Sequence, residues 1–220
     1  MAKIVWDATG EHFYEAGVNH GVLYVQKPDG TYDTGVAWNG LTAITESPDG
    51  AEPTDLWADN IKYASMRSAE TFGGTIEAYT FPKEFNQCDG TAVAADGVYV
   101  GQQARTPFGL CYRTEVGSDT YAADSDVAYK LHLIYNATAS PSEKNYETIN
   151  DSPDAITLSW EFDTTPVPLT GYKPMATIVI DSRYADATKL EALEKLLYGG
   201  DGQGENPTLP DPATVLDTMD

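Results

Sequence analysis

Positive charge is scarce in this chain: 13 lysines and arginines stand against 34 aspartates and glutamates, a formal net charge of −21. So acidic a surface repels phosphate backbones and anionic headgroups, which sets aside a grip on nucleic acid or on a membrane surface. Long apolar runs are also missing, and no stretch approaches the roughly 18 residues of a helical membrane span. The opening MAKIVWDATGEHF lacks an apolar core between a basic flank and a cleavage site, so synthesis in the cytoplasm is expected. Cysteine is limited to Cys88 and Cys111, which are expected to be reduced and half-buried in such a compartment. Asn136-Ala-Thr138 and Asn150-Asp-Ser152 match the glycosylation pattern, which means little without a secretory route.

Reactive motifs are equally sparse. There is no Gly-x-Ser-x-Gly elbow, no phosphate-binding Gly-x-x-x-x-Gly-Lys-Ser/Thr loop and no Cys-x-x-Cys pair. GGDGQGEN, residues 199–206, contains Gly-x-Gly-x-Gly, but a phosphate cradle needs a strand before it and a helix after it, and here the helical pattern comes first. His12, His20 and His132 show no metal-ligand spacing. Glu115, Asp119, Asp124 and Asp126 form an acidic turn without the order of an EF-hand, and a solvated loop is the expectation there. With so many acids, a pair of carboxylates at a glycosidase-like spacing carries no information. Trp6, Trp38, Trp57 and Trp160 could build a sugar-stacking platform, although scattered aromatics more often pack cores or interfaces. The expectation is a protein that is not an enzyme, with no cofactor and no metal.

What is abundant is β-forming sequence. Val, Ile, Thr, Tyr, Phe and Trp recur between Gly and Pro punctuation, and one segment alone keeps a helical period, so a mainly β domain is expected. Residues 1–20 read as an N-terminal arm. A hairpin follows, with runs at 21–27 and about 34–45 joined at Pro28-Asp-Gly30. YASMRSAE and GGTIEAYTF resume alternation on either side of a Gly73-Gly74 break, and FPKEFNQCDG, 81–90, suits one short helical turn. Further strands are expected at 97–103, 108–116, 127–138, 156–165 and 175–182. Tyr129, Leu131, Leu133 and Tyr135 share one face of the clearest of these.

A helix is expected over 186–198, capped by Asp186, paired internally through Glu191 and Lys195 and ended by Gly199, with Leu190, Leu193, Leu196 and Leu197 on its apolar face. Residues 199–220 then form a C-terminal arm whose Leu209, Val215, Leu216 and Met219 suffice to dock but not to fold alone.

One stretch resists this scheme. ESPDGAEPTDLWADNIKYAS, 46–65, opens on the turn signal Ser-Pro-Asp-Gly, has a second proline at Pro53, and sets Leu56 and Trp57 among acids. An extended loop over 46–62 is expected.

That loop, the SPSEKNYETINDSP connector, FGLCYRTEVG, WEFDTTPVPLTGYKP and the run KLEALEKLLYGGDGQGENPTLPDP together resemble, in order from about Gly21 to the end, the major tail (tail tube) proteins of long non-contractile-tailed bacteriophages of Gram-positive hosts. The resemblance implies a β-sandwich closing toward a barrel, flanked by one α-helix, with a long inter-subunit loop and extended N- and C-terminal arms. It implies a virion subunit that forms rings, usually hexameric, stacked into a tube around a tape-measure protein, meeting a tail terminator and a distal tail protein at its ends. Double-stranded DNA would pass down an acidic lumen without specific binding. On this resemblance Pro48, Asp49, Gly50, Pro53, Leu56 and Trp57 make the inter-subunit contact, the prolines and Gly50 stiffening the loop and Leu56 and Trp57 anchoring it. The competing expectations are a flap folded back on its own subunit and, for the whole chain, a carbohydrate-binding β-sandwich adhesin module.

Overall fold

The computed structural model describes residues 4–50, 52–120, 128–146, 148, 155–200 and 206–220. Asp124, Asp126, the Asn150 sequon and the Gly202–Gly204 motif lie outside the described residues, as does part of the 140–153 connector. Twelve strands and two helices follow one another: β1 Phe13–Val25, β2 Val36–Ala37, β3 Leu41–Gly50, β4 Pro53–Ala58, β5 Ile61–Arg67, β6 Glu70–Ala78, β7 Ala92–Ala95, β8 Val98–Val100, β9 Phe108–Ser118, β10 Ala128–Ala139, β11 Leu158–Thr164, β12 Thr177–Asp181, α1 Ala187–Tyr198 and α2 Pro212–Met219. The fold is mainly β, sandwich-like, and flanked by α1 as expected. No described helix is long and apolar enough to cross a membrane.

Eight strands form one antiparallel sheet in the order β2-β1-β9-β10-β11-β6-β3, with β12 attached to β10 as a branch. The branch arises within β10 itself: Lys130–Ile134 pair with β12, whereas Ala137–Ala139 pair with β11. Asn136 lies between the two segments at φ +50°, a left-handed conformation that asparagine tolerates better than most residues. Its side-chain amide donates to Thr165 O at 3.1 Å and its N–H to the Tyr32 hydroxyl at 3.0 Å, so the bend leaves no orphan donor. The sheet therefore folds over on itself along β10.

Strand alternation sends side chains from β1, β9 and β10 into two cores. Leu23, Val25, Phe108, Leu110, Tyr112 and Ile134 point inward between the folded halves, where they meet Ile76, Trp160, Phe162, Trp38 and Phe85. The aromatic rings there meet at edges and tilts, with Trp38 and Phe85 4.6 Å apart and Phe85 and Trp160 5.3 Å apart, and Trp38 Nε1–H donates to Thr80 O. The short 3-10 turn Lys83–Gln87 delivers Phe85, with Pro82 as the capping residue rather than the first helical one. Val22, Tyr24, Cys111, Leu131, Leu133 and Tyr135 point the other way, onto α1 and α2. Both cysteines are completely buried rather than half-buried, one in each core, and burial pushes each thiol up to about 12, which keeps them protonated and inert.

Helix α1 begins where Asp186 accepts hydrogen bonds from Thr188 N and Lys189 N at 2.9 and 3.1 Å, and Glu191 meets Lys195 at 2.7 Å. Leu190, Leu193 and Leu197 are buried, but Leu196 is 39% exposed. The i, i+3, i+7 set fixes the face, and Leu196, roughly 100° away from Leu197, falls on its shoulder.

Three sequence expectations give way to tertiary structure. Gly73-Gly74 is no break, since both lie inside β6, where a Cβ on Gly74 would stand 2.3 Å from Thr45 O and 2.9 Å from the Phe162 ring. The N-terminal arm is shorter than residues 1–20, because β1 starts at Phe13 and pairs with β9 from Ser118 onward. The second run of the first hairpin is split into β2 and β3 by the Asn39-Gly40 turn. The C-terminal arm, in its described part, docks as its apolar residues allow: Asp211 caps α2, Leu209 and Val215 are buried, and Gly35 N–H donates to Pro207 O.

Leu193→Ala is expected to cost about 2–5 kcal/mol, as a fully buried leucine should, whereas Leu196→Ala is expected to cost less than about 1 kcal/mol. Urea denaturation of the two variants separates these outcomes; equal losses would contradict the assigned helix face.

Candidate self-assembly surface

The stretch 46–62 is not an irregular loop. Residues Glu46–Gly50 continue β3 and pair with β6 as far as Glu70, so Ser47-Pro-Asp-Gly is extended and not a turn. Cross-strand pairing to Gly73, Phe72, Thr71 and Glu70 overrides the local turn preference. Pro48 is tolerated because β3 is an edge strand, where a missing N–H costs no ladder bond and discourages further pairing. Gly50 is required at φ +91°, with Ala69 O only 2.8 Å from where a Cβ would be.

Beyond it, β4 and β5 form a separate two-stranded ribbon. Ala58 pairs with Ile61 across Asp59-Asn60, whose φ values of +51° and +63° are those of a type I′ turn. Alternation along β4 puts Leu56 and Ala58 on one face and Asp55 and Trp57 on the other. None of the described residues covers either face: Trp57 is 69% exposed, Ile61 62%, Tyr63 72% and Met66 61%. A bare two-stranded ribbon is marginal in water, and fully burying each aliphatic side chain on it would add about 1.5–3 kcal/mol. The ribbon thus gains little stability from burial within its own chain.

A second ribbon shares these properties. β7 and β8 turn at Asp96-Gly97 and expose Val93, Val98, Tyr99 and Val100, with Asp96 the sole charge between Thr91 and Gly101. Ile4, Val5 and Trp6 are likewise exposed ahead of β1, and their segment is held at its base where Asp119 accepts from Gly10 N–H and contacts His12 Nδ1. In an acidic protein these segments stand out as exposed apolar surface with little charge.

The root of the first ribbon is tied down by polar contacts. Glu46, the last β3 residue before the exposed segment, accepts from the Tyr112 hydroxyl at 2.6 Å and lies 3.3 Å from His132 Nδ1. His132 stacks on Tyr112 at 4.6 Å, and its Nε2 is 3.0 Å from Thr114 Oγ1. Glu15 completes the cluster, held by Lys130 and Thr114. The hydrogen bond from His132, joined by the one from Tyr112, keeps the Glu46 carboxyl below its ordinary range despite partial burial. Burial opposes ionisation of Glu15, but Lys130 and Thr114 outweigh it, and its value is lowered too.

Of the residues picked out from sequence, Pro48, Asp49 and Gly50 lie on β3, and Pro53, Leu56 and Trp57 lie on β4, so they occupy two successive ladders rather than one tip. Ile61, Tyr63, Met66 and the β7–β8 side chains were not singled out, although Asp59-Asn60 and Asp96-Gly97 between apolar runs are hairpin signals. Trp38 and Trp160 are buried, so half of the supposed sugar platform is core. Among the described residues no group of His, Cys, Asp and Glu could hold a metal. The chain matches no protein-family model, and no relative is found among curated proteins.

Because the folded carboxyl of Glu46 is depressed, its contribution to stability is complete above the ordinary glutamate value, about 4.3, and is lost as pH falls through the lower folded value. Glu46→Gln is expected to flatten that part of the stability–pH curve. An unchanged acid limb in thermal melts would contradict the Glu46 assignment.

Proposed function

We propose that this chain is a structural subunit of the tail tube of a long non-contractile-tailed bacteriophage, self-assembling into rings, usually hexameric in the family it resembles, that stack into a hollow tube. The observation carrying the reading is the pair of uncovered apolar ribbons on a body whose two cores are already complete. A protein with finished cores and unfinished ribbons is suited to being completed by its neighbours. The ordered sequence resemblance supplies the kind of assembly, with a tape-measure protein filling the tube and a tail terminator and distal tail protein closing its ends.

The acidic composition fits the same role. An inner wall rich in carboxylates offers a passing duplex no site for counterion release, so DNA slides instead of binding. The same charge opposes the association of identical copies, and salt relieves that repulsion.

Negative-stain microscopy of concentrated protein is expected to show rings or tubes; isolated particles at every concentration would contradict the proposal. Light scattering is expected to rise between about 20 and 300 mM salt, across which the Debye length shrinks severalfold, and a flat response would remove the electrostatic part. Leu56→Ser with Trp57→Ser is expected to abolish tube growth while leaving the circular dichroism unchanged. Normal tubes from that variant would refute the role of the ribbon.

A further inference from the structure

At the base of the β4–β5 ribbon lies a cleft of about 770 Å³, bounded by Arg67–Phe72 on one side and by Pro166 and Lys173–Thr177 on the other. A volume in the range of about 300–1,000 Å³ suffices to enclose an indole with a neighbouring aliphatic side chain. Its wall is apolar at Phe72, Pro174 and Met175. Thr177, which also lines it, has a buried hydroxyl without a hydrogen-bond partner among the described residues.

The charges around this cleft are unusual for the molecule. Among the described residues, nine lysines and arginines form ion pairs with carboxylates, and three do not: Arg67, Lys173 and Lys189. Two of those three line the cleft, accompanied by a single acid, Glu70. In a chain of net charge −21, uncommitted cations placed together on apolar walls select an occupant that is acidic and apolar at once.

The other end of the same ribbon has that character. Its turn carries Asp59, which forms no ion pair among the described residues, beside the exposed Trp57 and Leu56. β4 is six residues long, so roughly 20 Å, at about 3.3 Å per residue, separates the turn from the cleft, and a ribbon cannot fold back to fill its own base. We infer that the ribbon tip of one copy docks into the Arg67–Lys173 cleft of a second copy, with Trp57 against Phe72 and Met175 and Asp59 facing the two cations. The contact joins two different patches, so it is heterologous: the joined pair keeps one free tip and one free cleft, and association continues until a ring closes or a tube ends. Thr177 supplies an acceptor of the kind that an indole N–H needs on burial.

This inference rests on the self-assembly reading but is tested apart from it. Two full-length variants are prepared, one with a disabled tip (Leu56→Ser, Trp57→Ser, Asp59→Ser) and one with a disabled cleft (Arg67→Glu, Lys173→Glu), and circular dichroism establishes that both fold. In sedimentation velocity each is expected to associate about tenfold or more weakly than the parent chain. Their equimolar mixture is expected to give a 1:1 dimer, because one live tip meets one live cleft and growth stops there. If the parent chain assembles but the mixture stays monomeric, the docking inference is overturned and self-assembly stands. If the mixed dimer forms but the parent chain makes neither rings nor tubes, the docking stands and the tube reading fails. Absence of both overturns both.

Discussion

The centre of the sheet, formed by β9, β10 and residues 21–25 of β1, is covered on both faces, and the rest of the molecule is arranged around that fact. A strand's side chains alternate, so a strand buried twice must be apolar at successive positions, as Leu131 to Tyr135 nearly are, with His132 the exception. One set of side chains holds the folded half of the sheet, β11, β6 and β3, in place; the other holds α1 and α2. The bend at Asn136 allows one strand to serve both pairings. Once these surfaces are matched the body needs nothing more, and each apolar group left outside stands out as surplus.

Much of that surplus lies on the two ribbons. The β4–β5 ribbon is an extension of well-paired structure, since β3 and β6 run continuously from the core to Gly50 and Glu70, and the Glu46–Tyr112–His132 contacts fix the exit. A rigid root with an unsupported tip suits a part that must reach a neighbour at a defined angle, because less conformational freedom is lost on docking than with a flexible loop. On the proposed reading, the acidic surface limits where copies meet and the exposed apolar side chains of the ribbons provide those places, so repulsion and attraction together favour a particular arrangement over indiscriminate aggregation.

Much of the body was legible in the sequence. The alternation of Tyr129 to Tyr135 and the leucines around Asp186–Gly199 mark β10 and α1 because local period and burial agree there. Ser47-Pro-Asp-Gly and Gly73-Gly74 misled for one shared reason: both belong to the β3–β6 ladder, where strand pairing and the Phe162 ring, not local preference, decide the conformation. The second helix was hidden because its apolar positions, Val215 and Leu216 among them, are too few to fix a period without the surface they pack on. At the candidate surface, Leu56 and Trp57 were visible as large apolar residues among acids. Their companions on β5 depend on a register with a bulge between Leu56 and Trp57, and Glu46 and His132 are 86 residues apart, so no local pattern announces either.

The central claim is that other copies of this chain cover the ribbons. Hydrogen–deuterium exchange compared between dilute protein and protein concentrated in high salt tests it most directly, by reporting on backbone amides in 53–67 and 92–100. The account predicts that both segments exchange rapidly in the dilute sample and become protected on concentration, while β9 and β10 remain protected throughout. Ribbon amides that exchange at the same rate in both samples, when the concentrated sample is demonstrably assembled, would contradict it.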